Sequence, residues 1–187
     1  MNLEKKLVIY YSSSGHTKKL AREISRKVNC DIEEIKTPTS YSGLFGYPRA
    51  LIHAFLKTEP VIKKLKHNPA DYDLVIVGGP IWAGQLSSPI RSFLTKNRDN
   101  LKNVAFFLTQ SVQYGSEQVF EQMELVCGKN PSGYLAVTEK ELNDGAFKER
   151  ISFFLSELQE KNPKIISKKV IRKVPPKSSR RLQVRSV

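Results

Sequence analysis

Five short apolar runs alternate with stretches of helical periodicity, and few folds accept such a chain. The runs are residues 5–11, "DIEEI" (31–35), "YDLVIVGGP" (72–80), "NVAFFLT" (103–109) and "GYLAVT" (133–138). Between them apolar residues recur at helix spacing: Leu20, Ala21, Ile24 and Val28 after the first run, then 88–96, 116–127 with Ser116 as N-cap, and one long helix over 144–161. Strands that are apolar at nearly every position have both faces buried, which is the condition of a parallel sheet packed between helices. The expected fold is therefore α/β, a three-layer sandwich around a five-stranded parallel sheet. Residues 37–70 hold four prolines, and "RALIHAFL" (49–56) predicts one short helix inside that connection.

Composition sharpens this where charge is concerned. The 187 residues carry a net charge of +13, but ten Lys/Arg and no acid fall between Lys161 and the end. Positions 1–160 hold 21 basic and 18 acidic residues, a net of +3. We therefore divide the chain into a body, 1–160, and a basic, flexible tail, 161–187. The tail is expected to contact an acidic protein, nucleic acid or an anionic membrane surface, or to aid solubility alone. No apolar run approaches the ~20 residues of a transmembrane helix. Cys30 and Cys127 stand apart, with no pattern of a disulfide framework or metal site, so a cytoplasmic setting is expected and no metal.

In an open parallel sheet ligands bind beyond the carboxyl ends of the strands. Three loops lie there: "SSSGHT" (12–17), "GPIWAGQLSS" (79–88) and "TQSVQYGS" (109–116). The first opens a helix, whose free N–H groups and dipole favour an anion. Ser12, Ser14 and Thr17 add hydroxyls, Ser13 its backbone, and Gly15 allows close approach. The loop lacks the G-x-x-x-x-G-K-[ST] pattern of a magnesium–triphosphate site, so it suits a terminal monophosphate ester. Two readings stay open for it alone, a ligand cradle and a hydroxyl-rich helix cap. The other two loops each carry one large aromatic, Trp82 and Tyr114, and two such rings can grip a flat ligand.

These segments together resemble the flavodoxin family. "SSSGHT" is similar to its phosphate loop, and "YDLVIVGGPIWAGQLSSPIRSFL" resembles the third strand and flavin loop of the branch carrying Pro-x-Trp-Ala-Gly. "YSGLFGYPRALIHAF" resembles its second-helix region, and the likeness spans about residues 5–158. It implies strand order 2-1-3-4-5 and non-covalently held FMN. Carried over by position, Ser12, Ser14, Gly15 and Thr17 would hold the phosphate, with His16 contributing through its backbone. Pro80, Ile81, Trp82, Ala83 and Gly84 would line one side of the flavin ring, and Gln110, Ser111, Tyr114 and Gly115 the other. The resemblance further implies that the Gly84 peptide turns its carbonyl toward flavin N5 when that atom is protonated.

The expected function is thus electron transfer through FMN, with a redox protein as partner. The alternative is an NAD(P)H-dependent FMN reductase acting on quinones or other small acceptors. Positions 80–98 hold no Asp or Glu, unlike the acidic rims of flavodoxins that only carry electrons, and a less acidic rim eases two-electron reduction. No protein catalytic residue is required, and His16, His53 and His67 read as surface or packing residues. A phospho-receiver module of the same topology is excluded by the absence of acids at 10–17 and 79–88.

Overall fold

The computed structural model describes residues 5–161. The first apolar run forms β1 (Lys6–Tyr10), with β2 (Asp31–Glu34) and β3 (Leu74–Trp82) parallel on either side of it. The sheet continues through β5 (Asn103–Gln110) to β6 (Tyr134–Thr138), all parallel. A two-residue strand, β4 (Gln85–Leu86), folds back antiparallel on the end of β3. Setting that hairpin aside, the order is β2-β1-β3-β5-β6, which is the expected 2-1-3-4-5.

Alternation within each strand divides the apolar residues between two cores. Leu7, Ile9, Val75, Val77, Phe106 and Leu108 face one layer, built from α2 (Gly46–Phe55), α3 (Ser88–Asn97) and α4 (Ser116–Cys127). Val8, Tyr10, Ile76, Ala105 and Phe107 face the other, built from α1 (His16–Val28), α5 (Glu139–Asp144) and α6 (Phe147–Lys161). The register that sets Leu7 against Val75 and Val8 against Ile76 keeps like faces together. Burial on both sides is what the near-continuous apolar runs required.

Four local features differ from the sequence reading, each for a physical reason. The long helix expected over 144–161 begins three residues later, at Phe147, and a separate short helix precedes it. Thr138 and Glu141 close a capping box that starts α5 seven residues before Ala146, and the chain turns at Gly145 before α6 begins. The second helix starts at Gly46, a turn earlier than the apolar spacing at 49–56 indicated, with Pro48 in its first turn. Gly115, not Ser116, is the N-cap of α4. Trp82, expected on an open turn, ends β3 and is 4% exposed. The basic tail from Asn162 onward lies outside the described residues. Among the described residues no helix is long and apolar enough to cross a membrane.

Candidate functional site

At the carboxyl end of β1 the chain leaves the sheet and enters α1 through residues 11–15. Ser12 Oγ accepts hydrogen bonds from Gly15 N (3.1 Å) and Lys18 N (3.3 Å), which folds the loop over the helix start. Gly15 adopts φ 96°, a left-handed conformation that disfavours a side chain, and an added Cβ there would meet nothing within 4 Å. The backbone N–H groups of Ser13, Ser14, His16 and Thr17 have no partner among the described residues. They lie at the positive end of a 13-residue helix with no acid in its first turn.

The lysines beyond the loop do not enter it. Lys18 Nζ is 3.1 Å from Glu34 Oε2, and Lys19 Nζ donates to the Leu142 carbonyl at 2.7 Å. An anion here would be held by amides and hydroxyls. The Thr17 hydroxyl is also committed: it is buried and lies 2.7 Å from Thr109 Oγ1. Thr17 thus offers the loop its N–H, while its side chain locks α1 to β5. Ser14 Oγ and His16 Nδ1 lie 3.3 Å apart.

The second loop is a tight hairpin. Trp82 pairs with Gln85 across Ala83 (φ 49°) and Gly84 (φ 72°). Two consecutive positive φ values mark a type I′ turn, the kind whose twist suits a two-residue connection. A Cβ on Gly84 would meet no atom within 4 Å, so its outer side is free. Leu86 anchors the returning strand in the core, and Gln122 Oε1 accepts from Leu86 N at 3.1 Å. Trp82 packs edge-on to Tyr11 (5.7 Å between centroids) and tilted against Tyr41 (5.1 Å). Tyr41 O–H lies 2.8 Å from His53 Nδ1. Burial foremost, then Tyr41 and Glu34, pushes the Tyr11 phenol up to about 12, so it stays protonated at neutral pH. The tryptophan therefore stiffens the hairpin from behind. Pro80 and Ile81, on the same strand, are partly exposed.

The third loop follows β5. Gln110 is 7% exposed, and its Oε1 is buried without a donor. Ser111 Oγ donates to Glu139 Oε1 at 3.0 Å, and that carboxylate also lies 3.3 Å from His16 Nδ1. Tyr114 stands 82% exposed beside Gly115, where α4 begins. The structure so brings 12–17, 80–84 and 110–115 to one end of the sheet, at the neighbouring strand ends of β1, β3 and β5. Glu139 is the residue the sequence reading missed. It sits just past the end of β6, a fourth carboxyl end that could have been searched.

A hollow of about 280 Å³ flanks the first loop, lined by Tyr11, Ser12, Ser13, Tyr41 and the turn at 36–40. Larger hollows lie along β2 (about 380 Å³) and at the amino ends of β1 and β2 (about 420 Å³), away from the free loop amides. We place the site by the amides, because they are donors in need of an acceptor. Such a site can take an anionic group at α1 and a flat, N–H-bearing group between the hairpin and Tyr114.

A family model described as Flavodoxin matches residues 5–156. A flavoprotein of Lactobacillus acidophilus NCFM, solved in complex with FMN, superposes with a TM-score of 0.62 at 23% identity, covering 76% of this chain and 99% of that one. The apo-form of the flavoprotein from the same organism gives a TM-score of 0.58 at 28% identity over 76% of this chain and 97% of that one. Among curated proteins, an NAD(P)H dehydrogenase (quinone) of Chromohalobacter salexigens is 29% identical over 102 residues, 50% of this chain and 47% of the relative. The match thus spans less than half of that relative's length.

Proposed function

The chain belongs to the flavodoxin family, and from that premise we propose that it binds FMN non-covalently and works as a redox protein. One observation carries the reading: at the start of α1 the backbone N–H groups of Ser13, Ser14, His16 and Thr17 have no partner among the described residues, at the same sheet end as the orphaned Gln110 carbonyl. A phosphate ester answers the first need and a flavin ring N–H the second. The residues present fit the group.

The N–H groups of Ser13, Ser14, His16 and Thr17 bind the phosphate, helped by the α1 dipole and by the Ser14 hydroxyl. Ser12 holds the loop in shape through its two accepted bonds. Pro80, Ile81 and the Ala83-Gly84 turn line one side of the ring, and Gln110, Ser111, Tyr114 and Gly115 the other. Trp82 acts from the second layer by fixing the hairpin. FMN supplies the one- or two-electron chemistry, and the chain positions it. Free Cys30 and Cys127 fit a cytoplasmic setting; burial pushes the Cys30 thiol up to about 11, which keeps it unreactive.

A second reading, reduction of a quinone by NAD(P)H, draws on the printed name of the half-length relative. Titration with FMN, followed by anaerobic addition of NADPH or NADH, separates the two. Binding with a shifted flavin spectrum and quenched Trp82 emission is expected. Bleaching by the nicotinamide alone supports the reductase; reduction only through a protein donor supports the carrier. Failure of FMN to bind refutes both.

A further inference from the structure

Helix α2 is packed inside out. Its inward stripe is Gly46, Ala50 and Ala54, spaced at i, i+4, i+8 and all buried. A Cβ on Gly46 would lie 2.6 Å from the Tyr41 carbonyl carbon, so the small residues let the helix sit directly on the chain beneath it. The opposite stripe carries Ile52 and Phe55, with Phe45 just before it and Leu56 just after, and all four are exposed. Leu44 (85%), Tyr47 and Val61 nearby in the chain are exposed as well. Seven of the twelve exposed large apolar residues of the described chain fall within 44–61. Large side chains on the outer face of a surface helix, with small ones inside, mark a face that meets an apolar partner.

The charge around it says which partner. Between Lys36 and His67 the chain has six Lys/Arg and one acid, Glu59, which accepts from Thr95 Oγ1. Arg49 on α2 and Lys57 just past its end are exposed and form no ion pair among the described residues, whereas Lys63 and Lys64 line the hollow along β2 with Glu33 and Glu34. Residues 162–187 add nine more cations and no acid. A second copy of this chain would bring these basic rims face to face, since a two-fold contact pairs like with like. Exposed apolar side chains flanked by cations instead match the interface of an anionic bilayer, where the rings enter the headgroup layer and the cations meet lipid phosphates.

We propose that the outer face of α2, with its basic rim, seats the protein on anionic lipid bilayers. Tyr41, bonded to His53 of α2 and packed on Trp82, ties this face to the hairpin of the candidate site. Attachment there would hold that end of the sheet beside the membrane. It does not depend on flavin binding and is readable with or without FMN.

The test is sedimentation of the full chain with vesicles of phosphatidylcholine containing phosphatidylglycerol, against vesicles of phosphatidylcholine alone. We expect binding to the anionic vesicles, weakened by added salt. In Phe45→Ser/Phe55→Ser the loss should be roughly tenfold or more, because two exposed rings no longer enter the bilayer. Arg49→Glu/Lys57→Glu should weaken binding to anionic vesicles alone. All four positions are exposed, so the urea midpoint should hold in both variants. Undiminished binding by Phe45→Ser/Phe55→Ser would assign attachment to the basic tail and overturn the proposal. So would absence of vesicle binding, or a dimer in sedimentation velocity that these two serines dissolve, which would make a second copy the occupant.

Discussion

The Thr17–Thr109 contact gives a prediction that separates a structural hydroxyl from a ligand-binding one. The two oxygens are 2.7 Å apart, buried, and join residues 92 positions apart in sequence. Replacing either threonine by valine keeps the shape and strands the other hydroxyl, at a cost of about 1–3 kcal/mol. Replacing both removes donor and acceptor together, so the double variant should be more stable than the two single losses imply, with a coupling energy of about 1–2 kcal/mol. With a urea slope of about 2 kcal/mol/M, each single change lowers the midpoint by about 0.5–1.5 M. Trp82 is the lone tryptophan and is buried, so its emission reports the transition. FMN titration supplies the second arm. Thr17→Val keeps the backbone N–H, so affinity should stay within about threefold, whereas loss of a bond to a charged phosphate costs about 1.5–3 kcal/mol, tenfold or more. Additive stability losses would refute the pair. A loss of FMN affinity beyond tenfold in Thr17→Val with an unchanged midpoint would show that the hydroxyl serves the ligand.

Two further outcomes follow from packing and charge. A Cβ at Gly78 would lie 2.3 Å from Phe107 ring atoms, deep in the sheet, so Gly78→Ala should cost about 3 kcal/mol or prevent folding; an unchanged urea midpoint would contradict that packing. Burial alone would raise the Glu141 carboxyl, but bonds from Thr138 N and from Arg150 outweigh it and hold it below its ordinary 4.5. A group with a depressed folded value stabilises above its unfolded value and loses that as pH falls through the folded one. The urea midpoint of the natural chain should therefore drop on acidification below about pH 4.5. Glu141→Gln should lose part of that drop; an identical acid limb in the two would remove Glu141 as a contributor.

The sheet could be read from the chain because its signal is local. A strand buried on both faces is apolar at nearly every position, and five such runs spaced by helical periods leave little choice of class. What escaped was too short or too distant to leave a pattern. Strand β4 has two residues and exists because Ala83 and Gly84 turn left-handed. Helix α5 has six residues and only Leu142 buried, so it has no apolar period. Its capping box was nevertheless present in the letters as Thr138 and Glu141, three apart. Gly79 reads in the chain as the start of a ligand loop, yet the reason for the glycines at 78 and 79 lies in Phe107 and Ile90, side chains that no local window connects to them.

The candidate site divides along the same line. The first loop was legible because a helix start announces its free amides in sequence. The partners of those residues were not. Trp82 is buried by Tyr11, Tyr41 and the hairpin, drawn from three separated segments, so its Gly-flanked setting pointed outward when the fold turns it inward. The charge of the rim shows the largest consequence. Counting acids along 80–98 finds none, and from that a two-electron preference follows. The fold brings Glu139 from beyond β6 to Ser111 and His16, and sets Glu34 against Lys18. The rim of the site is therefore not acid-free, and the lysines after the first loop do not enrich it with charge. An anion at α1 would be bound by dipoles whose number is fixed by the backbone, while Glu139 would oppose added negative charge at the Ser111 side. That opposition works against easy two-electron reduction and so favours the proposed electron transfer through FMN over the reductase.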